Sequence, residues 1–409
     1  MRASPDPNAT GSARVGTAPP RLPALVILLL CATLTVMAGA TIAPSLPGIA
    51  AHFETQPGGA ALVPLILTVP GLAIAIAAPL AGLLADRTPK RRVLLIGIAV
   101  YVIAGSSGLY LDTIGMITFG RLFLGAAVGA IMTSAMALIA DLFDDAERGR
   151  ILGYQAAAMS FGGMSFIMAG GVLADLHWRG PFAIYLAPLL LIPFILAWVP
   201  RGLPADNAPE AHAPEGPFPW AFTAMICVAA FANFFTYFTI PLKLPFMLRD
   251  MGLESATLAG SAIALLTFSS GIISLAFGRI RAMAPPPLLA SLAFLLASAG
   301  FATLSLQPPL PVVFGLMVLI GCASGIVLPN ATTWLYSRVP PAMRGQAAGV
   351  MTMSVFMAQF LAAPFVLLID PMVGIGGVYM SAAFIALLTT LFYIIVERRL
   401  RQGDAPRKL

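Results

Sequence analysis

The sequence predicts an all-α membrane protein with twelve transmembrane helices in two pseudo-symmetric six-helix bundles, and three observations predict it. Of 409 residues, 59% are hydrophobic and only 10% charged, with a mean hydropathy of +0.92. That is more apolar surface than a soluble chain of this size can hide. The apolar residues also come in windows near twenty residues, about the length of helix that crosses a hydrocarbon core of ~30 Å. They show no period-2 alternation, so helices rather than a barrel must satisfy the backbone in lipid. Finally, a pattern of Gly and Arg recurs at one fixed offset along the chain.

The spans fall at 24–49, 60–84, 93–111, 114–140, 151–174, 181–199, 220–247, 257–278, 286–305, 310–334, 346–369 and 374–396. Residues 1–22, rich in Ala, Pro, Ser and Gly without apolar periodicity, read as a disordered tail. The first apolar run continues past Ala40 into Thr41–Pro47, so it reads as a retained helix rather than a signal segment. Spans 1–6 make a half over 23–200 and spans 7–12 a half over 220–398. Between them lies a Pro, Ala and Glu-rich linker at 201–219, and a tail follows at 399–409.

Turn charges set the orientation. With the N-terminus inside, 19 of the 23 Lys and Arg share its side: three in the first tail, Arg87, Lys90, Arg91 and Arg92 between spans 2 and 3, Arg148 and Arg150 between 4 and 5, Arg201 in the linker, Arg279 and Arg281 between 8 and 9, Arg338 and Arg344 between 10 and 11, and five in the last tail. The other side has Arg179 and Arg249, while Arg121 and Lys243 fall inside spans. Positive-inside bias then places both termini in the cytoplasm, with the chain multi-pass in the inner membrane. The net charge of +6 reads as topology and contact with anionic lipid, not nucleic acid, because the basic residues are divided among turns. Cys31, Cys227 and Cys322 lie in apolar spans and read as small hydrophobes without disulfide or metal spacing. No cofactor is expected, and the chain reads as a monomer.

The repeat has an offset of 196 residues. Gly82, Gly125, Gly129, Arg148, Gly149 and Gly153 recur as Gly278, Gly321, Gly325, Arg344, Gly345 and Gly349. Parallel halves of this kind can rock about a midplane site, which allows alternating access.

Between spans 2 and 3, Gly82-Leu83-Leu84-Ala85-Asp86-Arg87-Thr88-Pro89-Lys90-Arg91-Arg92 is the densest charge cluster of the chain. A small residue, an acid-base pair and a basic turn in this order resemble the loop-2/3 signature of the major facilitator superfamily, a family of secondary transporters. Gly82, Asp86, Arg87, Lys90 and Arg91 match, while Pro89 stands in place of the usual Gly and rules out a left-handed turn there. The resemblance implies a gate on that side of the membrane, with the Asp facing the start of helix 11 and the Arg pairing with an acid at the end of helix 4, here Asp141.

Span 4 contains Arg121, Gly125 and Gly129 at i, i+4 and i+8, similar to the family's helix-4 motif. The Arg emerges from a small-residue face, about 10 Å into the core, where a charge must face protein or water. Two readings stand: binding of a substrate anion or proton-linked gating, and an Arg capped by carbonyls of helix 1. In span 5, Gly162, Gly170 and Gly171 match parts of the family's antiporter motif, but its Gly-Pro dipeptide is replaced by Phe166-Ile167.

No span offers an Asp or Glu near its middle, and all 17 acidic residues read as loop, tail or span-end groups. Proton coupling therefore points to Glu54, Asp112 or Asp175, or to competition at Arg121, and facilitated uniport stays open. His52, His177 and His212 read as solvated. The family lines its cavity with helices 1, 4, 7 and 10. Here Asn233 and Tyr237 share one face of span 7 beside Phe231, Phe234 and Phe238, span 10 adds Asn330 and span 11 adds Gln359. Aromatic walls with a few amides suit a small, largely apolar substrate. Lys243, near the end of its helix, is expected to snorkel.

The resulting reading is an exporter of small amphipathic compounds coupled to protons, with an importer or facilitated uniporter of a metabolite or sugar as the alternative and a non-transporting receptor as the competing class. An enzyme is not expected, since the spans hold no paired carboxylates, Ser-His-Asp, Cys-His or metal-ligand set.

Overall fold

The computed structural model describes residues 21–200, 217–340 and 343–402. The expected tails at 1–22 and 399–409 and the linker at 201–219 therefore lie largely outside the described residues. Ten helices come first: α1 (Arg21–His52), α2 (Gly59–Arg87), α3 (Lys90–Leu109), α4 (Ile114–Leu142), α5 (Asp145–Leu176), α6 (Gly180–Trp198), α7 (Trp220–Asp250), α8 (Ala256–Ile280), α9 (Pro286–Leu304) and α10 (Leu310–Arg338). A last helical stretch, Arg344–Arg401, is 58 residues long. Unbroken, it would reach about 87 Å, nearly three hydrocarbon thicknesses. Its backbone breaks at Gly374, where φ is 69° and ψ −179°, a conformation open to glycine and costly for other residues. The stretch is thus two arms, α11 (344–373) and α12 (375–401). Eleven long apolar segments give twelve crossings.

Sequence punctuation sets the helix ends. Gly58, at φ 74°, precedes α2, and Pro89, at φ −52° and ψ 116°, turns the chain extended before α3. The Ser255 hydroxyl caps α8 by accepting from the Leu258 amide. α1 is interrupted at 41–45 by a turn and a single 3₁₀ turn before Leu46–His52 completes it.

Small residues bring the helices together. A Cβ on Gly125 would stand 2.3 Å from the Pro70 carbonyl oxygen of α2, and one on Gly321 would stand 2.4 Å from the Leu266 carbonyl oxygen of α8. Leu266 is Pro70 displaced by the same 196 residues, so the repeat extends from residue types to contacts. At the next turn Gly325 lies against α8 as Gly129 lies against α2, and Ser274 donates to the Gly325 carbonyl. Backbones approach this closely only where no side chain intervenes.

Gly180–Leu190 of α6 winds as a 3₁₀ helix before Leu191–Trp198 becomes α-helical. The two halves meet at the end of the bundle that carries Trp178. There the Cβ positions of Gly171 and Gly260 fall against Ala256 and Ile167 backbone oxygens across the divide.

Candidate functional site between the two halves

Arg121 is fully buried in α4. Its guanidinium carbon lies 5.0 Å from the Phe182 ring centroid and 4.8 Å from that of Tyr185. The 3₁₀ winding of α6 explains this cage, because three residues per turn stack positions 182, 185 and 188 on one face. All three are buried. Tyr185 donates to the Met37 carbonyl and Tyr101 to the Leu34 carbonyl, so these phenols occupy the α1 carbonyls that were candidates to cap the arginine. Among the described residues, Nε, Nη1 and Nη2 of Arg121 have no hydrogen-bond partner. Ring faces compensate part of the charge, leaving a set of guanidinium donors held ready in an apolar wall.

Gly125 and Gly129 turn from Arg121 toward α2, against Pro70 and Ala78. In α5 the three motif glycines divide. Gly162 and Gly170 lie against Thr33 and Thr41 of α1, within one half, whereas Gly171 lies against Ala256 and Thr257 of α8, in the other. Near Gly171, the Asp175 carboxylate accepts from the Ala256 amide at 2.6 Å, the Thr257 amide at 3.1 Å and the Ser255 hydroxyl at 3.1 Å. An anion on the first turn of α8 is favoured by the unpaired amides and the helix dipole. Arg249 reaches the Pro47 carbonyl at 3.5 Å, and Asp112 pairs with Arg179 at 2.6 Å. His52 and His177 both lie against Trp178. A small cleft of about 190 Å³ remains between Ser45, Trp178, Arg249 and Glu254.

At the opposite end, Lys90 holds the helix-4 acid: its Nζ lies 2.7 and 2.8 Å from the two Asp141 oxygens. Extended backbone at Pro89 brings the first residue of α3 onto the end of α4. Arg91 donates to the Val199 and Leu196 carbonyls, covering the C-terminal end of α6. The backbone of Gly82, Asp86 and Arg87 continues α2, and their side chains lie outside the described set.

The expected cavity residues separate. Asn233 donates to the Ser324 hydroxyl at 3.0 Å and Tyr237 shares a hydrogen bond with Thr267 at 3.0 Å, so both tie α7 to its neighbours. Phe234 lies beside Tyr237 and Phe238. Phe231 instead stacks on Phe235 in a lateral groove of about 710 Å³ between α7, α11 and α12. Asn330 donates to the Pro286 carbonyl at the start of α9. Gln359 is buried against Gly39 of α1 and Gly71 of α2, at the join of both halves.

Two expectations are corrected. Lys243 does not snorkel: its side chain is only 10% exposed, and Nζ pairs with Asp370 at 2.7 Å and lies over the Phe246 ring. Asp370, which falls between the expected spans 346–369 and 374–396, is helical. The apolar count broke at the acid, whereas the helix runs on to the glycine at 374. Phe182, Tyr185, Ser324 and Thr267 were also missed. The i, i+3 aromatic spacing was a legible signal for the first two, whereas a hydroxyl in a helix carries none.

The chain matches the profile of the Major Facilitator Superfamily over residues 28–363. It is 25% identical over 337 residues to a 3-(3-hydroxy-phenyl)propionate transporter of Escherichia coli (strain K12), covering 78% of this chain and 81% of the relative. To the class C tetracycline resistance protein of Escherichia coli it is 26% identical over 344 residues, covering 80% and 84%. Among solved structures, a bacterial homolog of the human lysosomal transporter Spinster superposes with a TM-score of 0.74 at 16% identity, covering 91% of this chain and 96% of that one. A D-xylose-proton symporter gives 0.68 at 18%, covering 91% and 96%. Twelve crossings, a 196-residue repeat carried into the contacts and a family match across most of both halves have one reading: this multi-pass membrane protein belongs to the Major Facilitator Superfamily and is a transporter, not an enzyme.

Proposed function

We propose that the chain exports small amphipathic compounds in exchange for protons, as a monomer in the inner membrane with both termini cytoplasmic. Halves at 23–200 and 220–398 rock against each other in alternating access. One observation carries this reading: closure is asymmetric. At the Trp178 end, which the charge bias turns outward, Asp175 and Gly171 of one half lie on α8 of the other. At the Lys90 end, among the described residues, a Cβ on Gly153, Gly278, Gly345 or Gly349 would meet nothing within 4 Å, and Leu152 and Tyr154 of α5 are about half exposed. A carrier open to the cytoplasm and sealed outside has this form. Asn233, Phe234, Tyr237, Asn330 and Gln359 are the candidate cavity residues. Relatives named as a tetracycline resistance protein and a multidrug efflux pump support export.

A second reading, carriage of an aromatic carboxylate, is favoured by Arg121, whose free donors and flanking rings suit such an anion. One relative is named for an arylpropionate.

Purified protein in liposomes, given a pH gradient and a panel of lipophilic cations, aromatic carboxylates and neutral sugars, tests both. Gradient-driven accumulation of cations supports the exporter, accumulation of the carboxylates supports the second reading, and equilibration without accumulation indicates facilitated diffusion. Asp86→Asn is expected to reduce flux by about tenfold, a loss of about 1.4 kcal/mol, with unchanged expression and thermal midpoint. Normal flux in that variant would remove Asp86 from the inner gate.

A further inference from the structure

The Lys243–Asp370 pair lies where no sequence feature placed a charge pair, and its surroundings give it a task. Lys243 sits between Pro241 and Pro245 of α7. Each proline removes a backbone donor and weakens the helix there. Beyond Lys243 the same helix carries Pro245 and Arg249 to the outer cleft, opposite Pro44 and Pro47 of α1. Asp370 precedes Pro371 and the break at Gly374. One ion pair therefore ties the weak segment of α7 to the end of α11, behind the helix that closes the outer gate.

We propose that Asp370 is a proton-binding group of the transport cycle and that its occupancy by a proton releases Lys243 and opens the outer gate; this rests on the proton-coupled reading above. Asp370 keeps 31% of its side chain exposed beside the break between α11 and α12, the face by which a proton would enter. An O–H bond forms on the carboxylate, which becomes neutral, and Lys243 stays an ammonium. A buried ammonium without its counter-ion is driven toward water, and the outer segment of α7 moves with it. The groups facing Asp370 are few. Lys243 comes from α7. From α12 comes Tyr379, fully buried, with a hydroxyl that lacks a partner among the described residues and lies within electrostatic reach of the acid. Residues 61–78 of α2, 286–304 of α9 and 346–369 of α11 contain no titratable side chain. Arg249 and Asp250 lie further along α7.

The test reads the gate itself. Full-length protein in nanodiscs, with Cys31, Cys227 and Cys322 replaced by Ala, carries nitroxides at Ala51→Cys and Glu254→Cys, exposed positions on opposite halves. Distance distributions by double electron–electron resonance are recorded as a function of pH. The open-to-closed ratio is expected to rise as pH falls, by up to about tenfold per pH unit for one proton. Asp370→Asn is expected to give an open fraction that no longer depends on pH. The double variant Lys243→Gln/Asp370→Asn, which strands no charge, is expected to do the same and guards against misfolding of the single one. Asp175→Asn, which weakens the other outer contact, is expected to raise the open fraction at every pH while keeping the slope. A flat response in the parent, or a slope that survives in both Asp370 variants, overturns the proposal. Ethidium flux in liposomes reports transport separately. A pH-dependent gate without flux supports this proposal and counts against the exporter, while flux with a flat gate does the reverse.

Discussion

Arg121→Met is expected to raise the thermal midpoint and abolish transport. Methionine fills a similar volume without charge, and the site it enters is apolar, closed and flanked by two rings. Holding a guanidinium there costs several kcal/mol in desolvation, against about 2 kcal/mol recovered from each ring face. Removing it relieves that cost. A merely structural arginine would show the gain in stability with flux intact. A substrate- or proton-handling arginine would show the same gain with flux reduced by more than about tenfold, the equivalent of about 1.4 kcal/mol in the transport barrier. Thermal melts and liposome flux on one preparation separate the two. Arg121→Lys keeps the charge but loses the planar fork that stacks between the rings, and is expected to fall between parent and Met.

Adjacent glycines in α5 should give opposite phenotypes. A Cβ at Gly170 would lie 2.1 Å from the Thr41 carbonyl oxygen of α1, inside one half, so Gly170→Val must separate α1 from α5. Overpacking of this kind costs about 1–3 kcal/mol where side chains can yield, and here the obstacle is backbone. The expected result is loss of folded protein in detergent. A Cβ at Gly171 would lie 2.8 Å from the Ala256 carbonyl oxygen, across the divide. Gly171→Val leaves each half intact and prevents the outer end from closing. It is expected to express normally, to stay monodisperse and to show the open outer distance at every pH. Equal behaviour of the two variants, judged by size-exclusion profile and interspin distance, would dissolve the distinction between a folding contact and a gating contact in this helix.

The fold was legible because lipid permits so few alternatives: apolar windows and turn charges already dictate the crossings. The repeat was legible because glycines at 125, 129, 321 and 325 are needed wherever two backbones touch. Site residues were harder to read. Asn330 and Tyr237 look from the sequence like cavity groups, yet both spend hydrogen bonds on neighbouring helices. Lys243 looked like an end-of-helix lysine because its counter-ion lies 127 residues away, beyond any local pattern. Lys90 reaches Asp141 for a local reason, since proline at 89 sets the direction in which α3 leaves the turn.

The first eleven residues of α6 rise about 2 Å each rather than about 1.5 Å, so this crossing of 19 residues reaches about 34 Å. Rewound as an α-helix, that segment would shorten by about 5 Å and turn Tyr185 by roughly 60° relative to Phe182. The rings would then no longer cover Arg121 together. Helix length and shielding of the buried charge are thus a single variable in α6, and local membrane thickness becomes an input to the arginine's environment.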